Sequence, residues 1–335
     1  MAVTIRDVAE KAGVGVGTVS RTLNGAAHVR PATRDRIEAA MRELDFQPNT
    51  HASNLKRATA MTIGFFFSSS HRRHLSDPFF STLMSGLADE ASAQGYDLLV
   101  ASANADGGEL EQLERFVSGG RVSGIILTDT RVDDARVALL RRQKVPFVAF
   151  GRVKPASAAP CIDVDGKVGI ERATHHLFAQ GHTAIGLIAL PNELTCAVDR
   201  VEGYRAGHAL AHRKIDLNLI VTGGVSEADG TRAAEQLFSL PKPPTAIIAC
   251  SDVLALGALR AIHQRGLRAG RDVALIGFDD IPVAAHTSPP LTTIRQPVYD
   301  IATDLVRMLI KHIGGEPVDR KVIKPELIVR ESTTR

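Results

Sequence analysis

The chain has 335 residues, enough for two or three domains with substantial cores. Hydrophobic residues make up 44% and charged residues 23%, a balance typical of globular proteins, and no apolar run reaches the length of a membrane-spanning helix. The formal net charge is +3, and residues 1–60 carry all of this excess, with nine Lys or Arg against six Asp or Glu. A basic N-terminal segment favours an acidic partner such as nucleic acid.

The stretch 4–24, TIRDVAEKAGVGVGTVSRTLN, predicts two short helices around a tight turn. Thr4 suits the N-cap of the first helix, and Gly13 suits the left-handed residue that ends it. Two such short helices bury too little surface to be stable alone, so a third helix is expected after Pro31. The apolar positions of the three helices repeat at helical spacing: Ile5, Val8, Ala9, Val19, Leu23, Ile37, Ala40, Met41 and Leu44.

The second helix carries polar side chains on the face opposite its apolar residues. Thr18, Ser20 and Arg21 can donate hydrogen bonds to phosphates and base edges. This arrangement predicts a helix-turn-helix with its recognition helix turned outward. An ordinary helical hairpin has the same periodicity and is the alternative interpretation.

The motif DVAEKAGV followed by TVSRTLNG resembles the N-terminal signature of the lactose-repressor (LacI/GalR) family of bacterial transcription regulators. The resemblance implies a helix-turn-helix head at 1–47 and a hinge helix at 48–60, although a flexible linker would also explain the polar hinge segment. Leu55 occupies the position where the family inserts a leucine into the minor groove. The DNA contacts implied for the head and the hinge are Thr4, Val16, Gly17, Thr18, Ser20, Arg21, Asn24, His28, Asn49, Ala52, Leu55 and Lys56.

The expected DNA interface departs from the family pattern. Gly15 and Gly17 stand where serines or larger polar residues are common, and Ser53 stands where an arginine is common. Val16 offers only methyl groups, which can contact a thymine methyl but cannot read a donor pattern. We therefore expect base recognition to depend on Arg21, Val16 and the shape of the DNA at the hinge.

From residue 61 onward, short β-rich runs alternate with amphipathic helices, which predicts an α/β core of parallel sheets. The family resemblance implies two lobes like those of periplasmic sugar-binding proteins. The first lobe is expected at 61–162 plus about 291–318, and the second at 163–290 plus about 319–335. Strands are predicted at 62–67, 96–102, 124–130, 146–151, 185–190, 246–252 and 273–280, and helices at 79–94, 167–180, 200–211, 253–265 and 298–313.

Ligands of such sheets bind beyond the carboxyl ends of the strands. The resemblance places an effector in the cleft between the lobes, in contact with Phe79, Phe80, Arg152, Arg200, Ser251, Asp252 and Asp279. Carboxylates and donors beside an aromatic ring suit the hydroxyls and C–H face of a sugar. Simpler roles remain open: Asp252 as a helix cap, Phe79 and Phe80 as core, and Arg152 as a surface charge. Val225 replaces an aromatic residue of several sugar-binding members, so no particular sugar is implied.

Other classes of protein are disfavoured. GVGVG at 13–17 does not follow a strand as a dinucleotide-binding loop would, and no catalytic motif is apparent, so an enzyme is not expected. No cofactor or metal site is predicted, since the paired histidines lack partners at ligand spacing. A periplasmic receptor would share the two-lobed core but needs a signal peptide, which is not seen here. Three widely spaced cysteines suit a reducing cytoplasm.

The sequence thus predicts a cytoplasmic, nucleoid-associated repressor of a carbohydrate-utilisation operon. Its expected partners are palindromic operator DNA, a mono- or disaccharide effector and a second copy of the chain. The segment LIVREST resembles the closing strand of the family, and the leucine heptads by which some members form tetramers do not follow it, so the resemblance implies a dimer.

Overall fold

The computed structural model describes residues 3–23, 29–44, 46, 61–67, 77–103, 108–153 and 159–334. The chain divides into two compact units, Met1–Ala60 and Met61–Arg335. The first unit contains the helical head, and the second is an α/β core.

The head is built from three helices, α1 (Ile5–Ala12), α2 (Val16–Leu23) and α3 (Pro31–Glu43). Pro31 begins α3, where its missing N–H is not needed. The predicted apolar stripes meet in one small core, whose buried members are Val8, Ala9, Ala12, Val19, Ile37 and Ala40. The period of the apolar positions therefore predicted the packing of the head correctly.

The turn between α1 and α2 depends on Gly13, which adopts the left-handed conformation with φ +63°. The Gly13 amide donates to the Glu10 carbonyl, and the Val14 amide donates to the Ala9 carbonyl. Arg36 of α3 donates to the Ala12 carbonyl over 2.8 Å. These bonds use carbonyl groups that the end of α1 would otherwise leave without partners.

The core contains strands β1 to β12 and helices α4 to α11 among its described residues. The strands are β1 (Thr62–Phe67), β2 (Asp97–Ser102), β3 (Gly124–Leu127), β4 (Phe147–Phe150), β5 (Cys161–Val164), β6 (Ile185–Ala189), β7 (Ile220–Thr222), β8 (Ala246–Ala249), β9 (Ala274–Asp279), β10 (Thr292–Arg295), β11 (Lys321–Ile323) and β12 (Glu326–Ile328). The helices are α4 (Pro78–Ala93), α5 (Glu109–Ser118), α6 (Ala135–Arg142), α7 (Gly166–Ala179), α8 (Thr195–Leu210), α9 (Glu227–Phe238), α10 (Asp252–Gln264) and α11 (Val298–Ile313).

The first lobe is a parallel sheet in the order β11-β5-β4-β3-β1-β2. Alternate strand residues point to opposite faces, so each face has its own apolar cluster. One cluster includes Phe80 and Leu87 of α4 with Leu305 of α11. The other cluster includes Phe116 of α5 and Leu140 of α6. Both faces are covered, as a parallel sheet requires.

The second lobe is a sheet in the order β12-β10-β9-β8-β6-β7, in which only the β10–β12 pair is antiparallel. Its apolar residues form one continuous cluster that includes Ile247 of β8, Ile276 of β9 and Ile262 of α10.

The chain passes between the lobes after β5, after β10 and after β11, which corrects the predicted lobe bounds. The expected bounds near 291 and 319 come too early along the chain. Residues 292–295 pair with β9 and belong to the second sheet, whereas residues 321–323 pair with β5 and belong to the first. Residues 163 and 164 also belong to the first sheet, as part of β5. Strand pairing fixes each bound, and it is not visible in the order of elements alone.

Two strands, β3 and β8, end three residues earlier than predicted. β3 stops at Leu127, and residues 128–130 continue as the wall of a cavity. β8 stops at Ala249, because Ser251 caps α10 and Asp252 begins it. None of the helices in the described part of the chain combines the length and apolar character needed to cross a membrane.

Candidate functional site

One face of α2, the predicted recognition helix, is turned away from the core of the head. Thr4 is exposed at the start of α1, and its N–H and hydroxyl donate to the Asp7 carboxylate over 2.6 and 2.7 Å. Val16 is 42% exposed at the start of α2, and Gly17 beside it is also exposed. Thr18 and Ser20 are half-buried. The head therefore brings these five predicted DNA contacts to its surface or its edge.

Arg21 is exposed on α2, but its side chain folds back along the helix. Its Nε donates to the Gly17 carbonyl over 3.1 Å. The guanidinium must leave this bond, or share it, to reach a base edge. Asn24, His28, Asn49, Ala52, Leu55 and Lys56, the remaining predicted DNA contacts, lie outside the described residues.

A cavity of the core lies between the two lobes, at the carboxyl ends of the strands, where such sheets bind ligands. It spans about 600 Å³, a volume that includes space open to solvent. Its walls come from both lobes: Phe79, Phe80, Thr128, Asp129, Thr130, Phe150, Gly151, Asp163, Val164, Gly166, Cys196, Arg200, Asp279 and Gln296.

Three phenylalanines form the apolar part of this cavity. The rings of Phe79 and Phe150 are nearly parallel, with centroids 5.9 Å apart. Phe80 packs edge-on against Phe79 at 5.4 Å and is fully buried, so it belongs to both the core and the cavity wall. The α4 helix holds the pair, because Asp77 caps it by accepting from the Phe79 amide.

Arg200 and Asp279 face each other across the second-lobe side of the cavity. The Arg200 guanidinium lies 3.7 Å from the Phe278 ring centroid, donates to the Cys250 carbonyl, and approaches Asp279 to 4.0 Å. Asp279 accepts from Gln296 Nε2 over 2.6 Å, and its φ is +123°. The structure therefore brings these two predicted residues together at the cavity.

Among the described residues, three buried polar atoms of the cavity walls have no hydrogen-bond partner; one of them, Oδ2 of Asp163, is ion-paired with Arg152, and the other two are not ion-paired. These two are Nε of Arg200, whose side chain is 8% exposed, and Oγ1 of Thr128, which is 2% exposed. A buried polar group without a partner costs free energy, on the order of 1–3 kcal/mol. A hydroxylated molecule in the cavity would offer oxygens to both atoms.

Ser251 and Asp252, which were predicted as effector contacts, are not among the residues that line the cavity. Ser251 accepts from the Leu254 amide as the N-cap of α10. Asp252 is fully buried and accepts from the Thr293 hydroxyl over 2.6 Å and the Ile281 amide over 2.9 Å. Burial, reinforced by the charge of Asp279, raises the pKa of Asp252 to about 7. Asp252 therefore supports the end of β9 from behind the cavity.

Arg152, which was also predicted to contact the effector, is not among the lining residues, although its neighbour Gly151 and its partner Asp163 are. Its guanidinium pairs with Asp163 of the first lobe and Asp199 of the second. Burial acts to lower the pKa of Arg152, but the two carboxylates outweigh it and hold that pKa above its ordinary value. Burial raises the pKa of Asp163 despite the neighbouring guanidinium. Arg152 thus belongs to an ion-paired cluster and is not an isolated surface charge.

The two lobes also meet through their backbones beside the cavity. The Thr195 amide donates to the Thr130 carbonyl over 2.9 Å, and the Val132 amide donates to the Glu193 carbonyl over 3.1 Å. These bonds form a short antiparallel bridge between the lobes.

Sequence reasoning missed several residues of the cavity wall, namely Thr128, Asp129, Thr130, Phe150, Asp163, Cys196 and Gln296. One signal was available: the polar run TDT directly follows the apolar run GIIL of β3. No local signal marks Gln296, because the crossover after β10 brings it to the cavity.

In the described residues, no group of three His, Cys, Asp or Glu side chains is arranged to hold a metal ion. The cavity offers hydrogen-bonding and apolar surface, and among its wall residues no nucleophile and base form a hydrogen-bonded catalytic pair. Its arrangement suits reversible binding.

Comparison with known proteins addresses both units. Residues 4–49 match the family described as bacterial regulatory proteins, lacI family, and residues 174–333 match the periplasmic binding protein-like domain. The HTH-type transcriptional regulator CelR of Thermobifida fusca is 33% identical over 333 residues, covering 98% of each chain.

Two solved structures extend the comparison to three dimensions. A complex of the transcriptional regulator CelR with cellobiose aligns with a TM-score of 0.76 at 33% identity, covering 98% of this chain and 99% of that one. The lac repressor dimer bound to operator and the anti-inducer ONPF aligns with a TM-score of 0.89 at 30% identity, over 100% of both chains. These relatives are regulators and not enzymes. The chain belongs to the lacI family of bacterial regulatory proteins and is a DNA-binding transcriptional regulator.

Proposed function

We propose that this regulator represses a carbohydrate-utilisation operon and that a mono- or disaccharide in the cleft controls its affinity for operator DNA. The observation that carries the proposal is the pair of buried, unpartnered polar atoms on Arg200 and Thr128. They lie in a cavity that also offers carboxylates and phenylalanine rings.

The wall chemistry matches the two kinds of surface on a sugar. Hydroxyls can donate to Asp279 and Asp129 and accept from Arg200 and Thr128. The C–H face of a pyranose can pack on Phe79, which borders the same cavity. The CelR relative was solved with cellobiose, which supports a sugar of one or two rings.

The proposed DNA complex is a dimer on a palindromic operator, as in the solved lac repressor dimer. The two α2 helices would enter successive major grooves, with Val16 and Arg21 at base edges and Thr18 and Ser20 at phosphates. The hinge contacts at Asn49, Ala52, Leu55 and Lys56 are proposed from the sequence alone. The regulator would act in the cytoplasm, at the nucleoid.

Control of DNA binding requires that the sugar bind one arrangement of the lobes more tightly than the other. Arg200 and Asp279 belong to the second lobe, whereas Thr128 and Phe79 belong to the first. A sugar that contacts all four residues therefore favours the closed arrangement, because opening would break half of its contacts.

The first experiment is a thermal-shift screen of the full-length protein against uncharged mono- and disaccharides. A stabilising sugar is then titrated against the protein–operator complex, because stabilisation alone does not give the sign of the effect on DNA binding. We expect the sugar to weaken operator binding, by at least about tenfold, which is roughly 1.4 kcal/mol of coupling.

The site is tested by substitution within α8. Arg200→Ala should reduce sugar affinity at least about tenfold, a loss of about 1.4 kcal/mol or more, and leave operator affinity unchanged. Arg205→Ala is the matched control, since Arg205 lies on the same helix but is exposed and pairs with Glu202 at the surface. Asp279→Asn provides a second test that keeps the shape of the wall. Normal sugar binding by both Arg200→Ala and Asp279→Asn would rule out the cleft as the effector site.

A further inference from the structure

Arg136 of α6 is fully buried beside the loop that follows β3. Its Nη2 donates to two successive carbonyls, those of Thr128 and Asp129, each over 3.0 Å. Successive carbonyls of an extended strand point in opposite directions, so one nitrogen cannot donate to both while the strand continues. The chain leaves the strand conformation at this point, and Asp129 adopts φ +49°. The bonds to Arg136 therefore explain why β3 ends at Leu127.

A buried carboxylate fixes the position of this guanidinium. Asp134 accepts from Nε and Nη2 of Arg136 over 2.9 and 2.7 Å, and both side chains are fully buried. Asp134 also caps α6 and accepts from the Arg131 amide over 3.2 Å. Burial acts to lower the pKa of Arg136, but Asp134 and Glu109 outweigh burial and hold that pKa above its ordinary value. The guanidinium is therefore a charged support that cannot shift easily.

The loop that Arg136 supports makes two kinds of contact. Thr128 and Asp129 line the cavity, where both are proposed to contact the sugar. The carbonyl of the next residue, Thr130, accepts from the Thr195 amide of the second lobe over 2.9 Å. Thr195 begins α8, where an amide has no partner within its own helix. One guanidinium thus stands behind both a part of the cavity wall and a contact between the lobes.

We propose that Arg136 is a positioning residue for the sugar response: it holds Thr128 and Asp129 toward the cavity and the Thr130 carbonyl toward the second lobe. Sugar affinity and the contact between the lobes then depend on the same side chain. The inference rests on the proposed function, since it identifies what positions one wall of the proposed sugar site. Arg136 is not among the lining residues, so it acts through the loop.

The first test is Arg136→Lys. Lysine keeps a positive charge beside Asp134, but its single ammonium group lacks the planar fork that joins a carboxylate to two carbonyls. Calorimetry with the full-length protein measures affinity for glucose, galactose, ribose and cellobiose. For each sugar that the wild type binds, we expect the variant to bind at least about tenfold more weakly. Operator affinity without sugar should stay within about twofold of wild type.

Hydrogen exchange separates positioning from a general loss of stability, and it needs no sugar. The Thr195 amide should exchange at least about tenfold faster in Arg136→Lys, because its acceptor on Thr130 is no longer held in place. The amide of Ile248, in β8 at the centre of the second sheet, should keep its wild-type rate. A merely structural role of Arg136 would instead raise exchange at both amides.

Two further variants complete the design. Arg142→Lys is the matched control, because Arg142 lies on the same helix but its side chain is 71% exposed and lies 4.0 Å from Glu114. It should behave as wild type in every measurement. Glu109→Gln is a milder second variant, since Glu109 is half-buried and pairs with both Arg131 and Arg136. It should weaken sugar binding by about threefold.

Each outcome decides a different point. Wild-type sugar affinity in Arg136→Lys, or faster exchange at Ile248 as well as at Thr195, overturns the inference and leaves the proposed sugar response intact. If Arg136→Lys does not fold, wild-type sugar affinity in Glu109→Gln overturns the inference in its place. The absence of binding of every sugar by the wild-type protein overturns the proposed function and the inference with it.

Discussion

Asp252 illustrates how a buried carboxylate can support a binding site without touching the ligand. Its two oxygens accept from Thr293 and from the Ile281 amide, directly beyond Asp279 and Asp280. Both aspartates have positive φ, at +123° and +58°, a conformation that side chains disfavour. Asp252 thus holds the strained end of β9 in the position from which Asp279 faces the cavity.

The raised pKa of Asp252 predicts a pH dependence of stability. Its pKa is about 7 in the folded chain, because of burial and the charge of Asp279, against an ordinary value of 3.8. The folded state therefore holds this proton more tightly, and the stability that results is complete below about pH 4 and is lost as the pH rises toward 7. Asp252→Asn cannot titrate, so its melting temperature should rise relative to that of the wild type between pH 5 and pH 8.

The control for this pH series is Asp319→Asn, at an exposed position. It should show the pH dependence of the wild type. A difference between Asp252→Asn and wild type that stays constant from pH 5 to pH 8 would contradict the assignment.

Cys196 gives a chemical reporter of the cavity. It lines the cavity and is half-buried, whereas Cys161 and Cys250 are 2% and 0% exposed. Burial raises the pKa of both buried thiols, that of Cys250 to about 12, so neither forms the reactive thiolate readily. We expect a thiol reagent at pH 8 to modify Cys196 first, and a bound sugar to slow this reaction at least about tenfold.

Cys196→Ser serves as the control and should remove the fast phase of labelling. Fast labelling that persists in this variant, or that maps to Cys161 or Cys250, would show that the cavity is not the accessible site.

At the scale of elements, the head depends on glycines with different roles. Gly13 ends α1 at φ +63°, where a side chain would be strained. Gly17 lies inside α2, and a methyl group added to it would meet no atom within 4 Å. Gly17 therefore lowers the stability of α2, and no neighbouring atom of the head requires a glycine at this position. Its position on the exposed face of α2 leaves room for the close approach of DNA.

This contrast predicts opposite effects of one substitution at the two positions. Gly17→Ala should stabilise the head by roughly 0.5–1 kcal/mol, because alanine loses less entropy in a helix. Gly13→Ala should destabilise it by about 1–2 kcal/mol, because of the left-handed backbone. Hydrogen exchange of the α2 amides in the full-length protein measures both, and equal effects of the two variants would refute the argument.

Some contacts between elements of the core cannot be predicted from any one element alone. β3 ends at Leu127, and the next three residues turn into the cavity wall, where Asp129 adopts φ +49°. The Thr130 carbonyl then accepts from the Thr195 amide of the second lobe. The polar residues 128–130 that follow β3 therefore both line the cavity and connect the two lobes.

At the scale of the whole molecule, charge is divided between the two units. The formal excess of +3 lies within residues 1–60, so the remaining chain is formally neutral. The polyanionic operator matches the basic unit, and the uncharged sugar proposed for the cavity matches the formally neutral one.

This division predicts different salt responses for the two ligands. Operator affinity should fall by on the order of 10³ between 50 and 200 mM salt, because phosphate contacts release counterions. Affinity for an uncharged sugar, measured with the same protein over the same range, should change less than about twofold. A flat operator response would contradict the phosphate contacts proposed for the head.

Much of the architecture was predictable because it depends on local patterns. The helical period of Val8, Val19 and Ile37 predicted the head core. The alternation of apolar strands and helices predicted parallel pairing, and the family resemblance implied two lobes. The bounds of α11 agree with the sequence pattern, since its apolar stripe continues through the last helical turn. Arg200 and Asp279 were found through their family motifs, and both line the cavity.

The sequence by itself determined the family, the two kinds of unit and the chemistry available to each, because motif, period and composition are properties of the chain. Only the tertiary structure decided which polar residues face the cavity. Asp252 and Asp279 follow similar apolar strands, yet one is sealed behind the wall and the other lines it. Arg152 carries the same charge as Arg200, but two carboxylates from different lobes hold it back. Such outcomes depend on strand pairing and on the approach of the lobes, which bring together residues distant in sequence.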